Sequence, residues 1–203
     1  MTETKTVAIT TEMVKHLREK TGAGMMDCKR ALEQSDGDAT KALEILRQKG
    51  LASARSKESR AAKDGVIGAY VHAGGKIAVM VEVNCETDFV ARTAQFQEFA
   101  RNLAMHVTAA NPLFVRREDV PPAMIEGEKK IYAAQAETSG KPPKVIEKMV
   151  EGKIEKYFSD VCLLEQAYVK DQNITVKDLL QDIRAKVGEN VQIRRFIRYQ
   201  LGE

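Results

Sequence analysis

The chain has 203 residues, enough for one sizeable domain and a small one. With 43% hydrophobic and 30% charged residues it reads as a soluble globular protein, which excludes the disordered and fibrous classes. Its 32 basic and 29 acidic residues leave a net charge of +3, no Trp is present and aromatics make up 5%, so neither the charge nor the stacking residues of a nucleic-acid binder are indicated.

The opening residues MTETKTVAIT lack a basic region followed by an apolar one, so no signal peptide is expected. No apolar run is long enough to span a bilayer, and a cytosolic location follows as the expectation. Residues 1–51 read as a three-helix bundle. In TTEMVKHLREK, Met13, Val14 and Leu17 share a face and Thr10 or Thr11 can cap it; TGAG breaks the pattern. In MMDCKRALEQS, Cys28, Ala31 and Leu32 fall together. Asp38 then caps a third helix, with Ala42, Leu43 and Leu46 inward and Gly50 placed to end it. Residues 52–64 alternate small and charged side chains and are expected to be a partly helical linker.

From Gly65 the period becomes two, and residues 65–203 read as an α+β core. VIGAYVHA and KIAVMVEV flank Gly74-Gly75, a two-residue hairpin signal, with Tyr70 and His72 on the face of Ile77, Val79, Val81 and Val83. Phe96, Phe99, Leu103 and Val107 mark the buried stripe of a helix ending at Asn111-Pro112. Pro121-Pro122 opens another helix, SGKPPK breaks it, and VIEKMVEGKIEKYFSD begins the next. After an extended or loop-like stretch over 161–170, Thr175 caps and Gly188 ends an amphipathic helix. In the last segment Val191, Ile193, Ile197, Tyr199 and Leu201 alternate with Gln192, Arg194, Phe196, Arg198 and Gln200, predicting a strand that completes the hairpin's sheet. The fold class is α+β with a mostly antiparallel sheet packed by helices and a helical bundle in front.

Catalytic patterns are absent. TGAGMMDCK lacks the phosphate-cradle run, and neither GxSxG, HExxH nor paired CxxC occurs. His16, His72 and His106 are too scattered for metal ligation. Cys28, Cys85 and Cys162 suit a reducing compartment, with burial the simplest role for Cys85. No catalytic residue, cofactor or metal site is expected.

Three places carry alternatives. Met25 and Met26 are adjacent on a helix, so both cannot be core; one is a tolerated surface residue, or both form a deformable apolar contact beside Arg18. In NCETDFVARTAQF, Thr87 or Asp88 is a good N-cap and Phe89 lies seven residues before Phe96, on nearly the same helical face. That makes Phe89 core; alternatively the acid and the aromatic form a rigid tip projecting past the core. Arg194, Arg195 and Arg198 read either as a solvated strand face or as a contact for an acidic partner or an RNA backbone.

LREKTGAGMMDCKRAL, DGVIGAYVHAGGKIAVMVEVNCETDFVAR, SGKPPKVIEKMVEGKIEKYF and VQIRRFIRYQLG together, in order and over nearly the whole chain, closely resemble the bacterial elongation factor Ts family. The resemblance implies a non-enzymatic guanine-nucleotide exchange factor for the GTPase elongation factor Tu, with a bundle of ubiquitin-associated-domain-like (UBA-like) form. It places Arg18, Met25 and Met26 at contact positions of that bundle. It also places Thr87, Asp88, Phe89 and Val90 beside the partner's magnesium site, where they displace Mg²⁺. Long members of the family carry a second core copy and a projecting helical hairpin, and this chain is too short for both. A homodimer is therefore implied, with His72 a further contact and no cysteine beyond Cys162 to hold the dimer by a disulfide in the last strand. An RNA- or ribosome-associated protein, or a helical adaptor whose core only dimerises, are the competing readings.

Overall fold

The computed structural model describes residues 8–57, 59–138 and 142–203, without side chains for 51 and 53–57. Two compact units result. One comprises the described residues up to Ala61 with Gln181–Asn190, and the other comprises Ala62–Leu180 with Val191–Glu203.

In the first unit, α1 (Thr11–Thr21), α2 (Met25–Gln34) and α3 (Ala39–Lys57) pack pairwise around Val14, Leu17, Cys28, Ala31, Leu32, Ala42 and Leu46. Thr10 caps α1 by accepting from the Met13 amide at 3.2 Å, and Asp38 accepts from Thr40 and Lys41 at the start of α3. Two expectations fail here. Leu43 is exposed rather than inward. Gly50 does not end α3, which runs through it to Lys57; a Cβ at Gly50 would lie 3.2 Å from the Ala185 Cβ, so the glycine answers a close approach within the unit rather than a helix stop.

In the second unit, β1 (Asp64–Val71), β2 (Ile77–Cys85) and β5 (Gln192–Gln200) form an antiparallel sheet with β2 central. The fold is thus α+β with an antiparallel sheet, as the change of period predicts. The β1–β2 connection is longer than two residues: the Gly75 amide bonds the His72 carbonyl, the His72 amide bonds Ile77, and Gly74 and Gly75 take φ of 88° and 68°. The short helix α4 (Asp88–Ala91) precedes α5 (Ala94–Ala110), which covers one sheet face with Phe96, Phe99, Leu103 and Val107 all buried. Gly68 makes that contact possible, since a Cβ there would stand 2.5 Å from the Ala100 carbonyl. Helices α6 (Pro122–Glu137) and α7 (Pro143–Val161) form an antiparallel hairpin, so a helical hairpin is present alongside the three-stranded sheet. A two-stranded piece, β3 (Ala167–Tyr168) with β4 (Asp171–Thr175), leads into α8 (Val176–Val187), capped by Thr175 and closed by Gly188 at φ 75°.

The strict alternation expected of β5 is broken. Glu82 pairs with Arg195 but Val83 pairs with Ile193, leaving Arg194 as the extra residue of a bulge. Ile193 faces inward, whereas Ile197, Tyr199 and Leu201 turn outward, and Phe196 and Arg198 take the helix-covered side opposite Val81 and Val79. The arginine cluster is divided by the same bulge. Arg194 and Arg195 both reach Glu82, at 3.7 and 2.7 Å, while the Arg198 side chain is only 11% exposed and bonds Glu203 at 3.1 Å.

Candidate functional site

Among the described residues, local bonds brace the corner between β2 and α5. β2 ends at Cys85, whose buried thiol donates to the Thr87 carbonyl at 3.1 Å. Thr87 is extended and accepts from the Val90 amide, so the N-cap is Thr87 and not Asp88. Four residues later the helix stops, because Thr93 is extended again: its hydroxyl donates to the Val90 carbonyl at 2.8 Å and accepts from the Phe96 amide at 3.3 Å. Two caps in series break what the spacing offers as one helix. The register linking Phe89 to Phe96 is therefore lost, and the core reading of Phe89 fails: Phe96 is fully buried, whereas Phe89 is 80% exposed.

Around Phe89 the tip is braced. The Asp88 carboxylate lies 2.7 Å from the Arg92 guanidinium, the Arg92 amide bonds the Asp88 carbonyl at 3.1 Å, and Ala91 is buried. Val90 is half-buried. Arg92 is the residue that sequence reading missed; its i,i+4 spacing from Asp88 is the signal that was available. An exposed aromatic beside an acid already paired to its own arginine is a rigid apolar projection with a polar flank, not a proton-transfer site.

In the helical bundle, α1 ends as the Gly22 amide bonds the Arg18 carbonyl at 2.7 Å with φ 68°. Gly24 then starts α2 without a side-chain cap. Met25 and Met26 are 38% and 61% exposed, so neither belongs to the core. Arg18 is exposed, and no described carboxylate pairs with it. Below them the Asp27 carboxylate pairs with Lys49 at 2.6 Å and with Arg30 at 3.3 Å; the Lys49 ammonium holds the Asp27 carboxyl below its usual range.

His72 is exposed at the hairpin connection, with its Nδ1 3.3 Å from the Tyr70 hydroxyl. Structure does not bring it to the corner. The ladder runs from Asp64 opposite Cys85 to Val71 opposite Ala78, so about 23 Å of sheet separates the two. Sequence reading also missed the outer sheet face, where Ile67, Val71, Met80, Ile197 and Tyr199 are 42–67% exposed; the bulge at Arg194 turns Ile197 and Tyr199 there. Among the described residues no cluster of three His, Cys, Asp or Glu side chains is placed to hold a metal, and no helix is long and apolar enough to cross a membrane.

The sequence is similar to those of known proteins over nearly its whole length. The family model described as Elongation factor TS matches residues 7–203. The chain is 62% identical to the elongation factor Ts of Carboxydothermus hydrogenoformans over 195 residues, 96% of this chain and 90% of the relative. It is 58% identical to that of Nitratidesulfovibrio vulgaris, covering 97% and 98%, and 56% identical to that of Fervidobacterium nodosum, covering 96% and 99%. With one family description over nearly its full length and this identity to full-length relatives, the chain belongs to the elongation factor Ts family.

Proposed function

We propose that this protein is the guanine-nucleotide exchange factor of elongation factor Tu in the cytoplasm, acting without chemistry of its own. Family membership supports the partner, and the observation that carries the mechanism is Phe89, 80% exposed on a corner closed by its own hydrogen bonds. Mg²⁺ on a GTPase bridges the nucleotide phosphates and the protein and offsets their charge. Thr87, Asp88, Phe89 and Val90 enter beside that site, and the rigid aromatic displaces groups that hold the metal. Loss of the metal weakens nucleotide binding, and GDP leaves. Coupling is reciprocal, so the factor binds the empty GTPase more tightly than the loaded one. A coupling of about 4 kcal/mol corresponds to roughly a thousandfold change in affinity.

Arg18, Met25 and Met26 form the second contact, from a bundle of UBA-like form; exposed, flexible methionines adapt to a partner surface at little cost. His72 forms a third. Because it lies about 23 Å along the sheet from the corner, the two engage separate regions of the partner. The apolar outer sheet face supports a homodimer whose two protomers supply the full surface together.

Release of a fluorescent GDP analogue from elongation factor Tu, with this protein substoichiometric, tests the reading. Phe89→Ala is expected to slow release about 30-fold, the loss typical of a central contact worth about 2 kcal/mol. Asp88→Ala slows it less, and circular dichroism of both variants matches the wild type. No acceleration by the wild type rejects the exchange reading.

A further inference from the structure

We propose that the Asp64-Gly65 step at the start of β1 is a site of spontaneous isoaspartate formation, and that this change loosens the corner carrying Phe89 as the protein ages. Aspartate followed by glycine is open to it because no side chain hinders the approach of the glycine nitrogen to the carboxyl carbon. The chain holds two such pairs, Asp36-Gly37 and Asp64-Gly65, and their hydrogen bonding differs. In the turn between α2 and α3 the Gly37 amide is committed to the Leu32 carbonyl at 2.9 Å. At the start of β1 the Gly65 amide instead meets the carboxylate of its own neighbour, 3.3 Å from Asp64 Oδ1. The ladder explains this. The His72 amide bonds Ile77, which lies opposite it in the β1–β2 register, and bonded positions alternate along an antiparallel pair. Tyr70, Gly68, Val66 and Asp64 therefore turn their amides to β2, whereas Gly65 turns its amide to the open edge of the sheet. Nor does the fold tolerate a hindering residue there, since Gly65 has φ 147° and a Cβ would collide with the Val83 carbonyl.

In the first step the Gly65 nitrogen bonds the Asp64 Cγ. One carboxylate oxygen leaves as water, taking the amide proton and a proton from solvent, and a cyclic imide closes. Water then opens the imide. Attack at the side-chain carbonyl restores aspartate; attack at the main-chain carbonyl breaks its bond to the Gly65 nitrogen, which takes up a proton, and the chain now runs through Cβ and Cγ. The product has the mass of the parent and needs no other reactant. Its backbone is one atom longer at Asp64, and the former main-chain carbonyl hangs off the chain as a carboxylate. That carbonyl accepts from the Asn84 side chain at 3.1 Å, and Asp64 lies opposite Cys85 in the ladder. Cys85 in turn donates to the Thr87 carbonyl, so the lengthened chain disturbs the foot of the corner.

Mass spectrometry of the whole protein, aged for weeks at pH 7.5 in heavy-oxygen water and then digested, tests the site. Each imide opening takes up one heavy oxygen, and electron-transfer fragmentation tells isoaspartate from aspartate. Isoaspartate is expected to accumulate at residue 64 about fivefold faster than at residue 36, the factor that one net backbone hydrogen bond at Gly37 accounts for. In urea, where both pairs lose their structure, the two rates converge. Asp64→Glu, whose longer side chain closes a larger ring far more slowly, abolishes oxygen uptake at this position. Equal rates in the folded protein, or a faster rate at residue 36, overturn the proposal. A ratio that persists in urea overturns it as well, because local sequence and not the fold then sets it. Amide hydrogen exchange at residues 85–92 is expected to quicken in the aged fraction, and an unchanged corner there overturns the link to Phe89.

Discussion

His106 carries its proton on Nε2, because its Nδ1 accepts from the Val169 amide at 3.2 Å while Nε2 meets the Gln166 side-chain oxygen at 3.0 Å. Gln166 donates in turn to the Asp160 and Ala110 carbonyls, at 2.7 and 3.4 Å. A second proton has no acceptor at Nδ1. Burial therefore holds the folded imidazole below its ordinary value of 6.5, with the Gln166 bond working weakly the other way. The unfolded chain takes up that proton near 6.5 and the folded one resists it, so the contribution is complete above pH 6.5 and declines as the pH falls below it. Urea melts at pH 7.5 and 5.5 are expected to show the wild type losing stability over this window. His106→Gln, which cannot titrate, flattens that slope; an equal slope in both excludes His106 as its source. None of this was legible beforehand, since the partners stand about sixty residues away in sequence. Phe89 differs. Its spacing from Phe96 was real, but Thr93, a residue that caps as readily as it continues, cut the helix between them.

Thr93 matters at the scale of the element. It ends α4 and begins α5 with one hydroxyl, making the corner a turn between two helices rather than the first turn of one. Thr93→Ala is expected to cost about 1 kcal/mol of stability and to loosen residues 87–92. Amide hydrogen exchange checks this: faster exchange there, with α5 still protected, is the expected result, and unchanged exchange at the corner excludes Thr93 as its brace. Gly68 is the second such position. Gly68→Ala pushes a Cβ onto the Ala100 backbone, and the expected cost is about 1–3 kcal/mol, read as a lowered denaturation midpoint. Most elements were legible from period and caps: Thr10, Asp38 and Thr175 each cap as their sequences suggest. The misses have local causes. Gly50 looked like a stop because glycine so often is one, yet the approach of Ala185 is what it serves. The phase of β5 was lost because a bulge adds one residue and exchanges the faces beyond it.

For the whole molecule, that exchange of faces decides how the second unit meets its surroundings. α5 covers the face of Val79, Val81 and Val83, and the opposite face shows Ile67, Ala69 and Val71 from β1, Met80 from β2, and Ile197 and Tyr199 from β5. A monomer rarely leaves so continuous an apolar surface to water. Sedimentation velocity is expected to find a dimer for the wild type, and a monomer for Met80→Asp with Tyr199→Asp. A dimer that survives the double substitution moves the interface elsewhere. The family was legible in long motifs, and the order of elements in changes of period. Which side chains the sheet leaves outward was not legible, because it depends on pairing between strands more than a hundred residues apart.

The corner has one property that these longer-range arrangements lack. Among the described residues, a chain of bracing bonds runs from Cys85 to Phe96, twelve consecutive residues, and the Asp88–Arg92 ion pair lies within it. A closed peptide of that length contains both partners of each of those hydrogen bonds and lacks the packing around Ala91 and Phe96. Such a peptide, cyclised between its ends to replace that packing, is a miniature of the tip, and under the proposed function it is expected to compete with the whole protein for its partner.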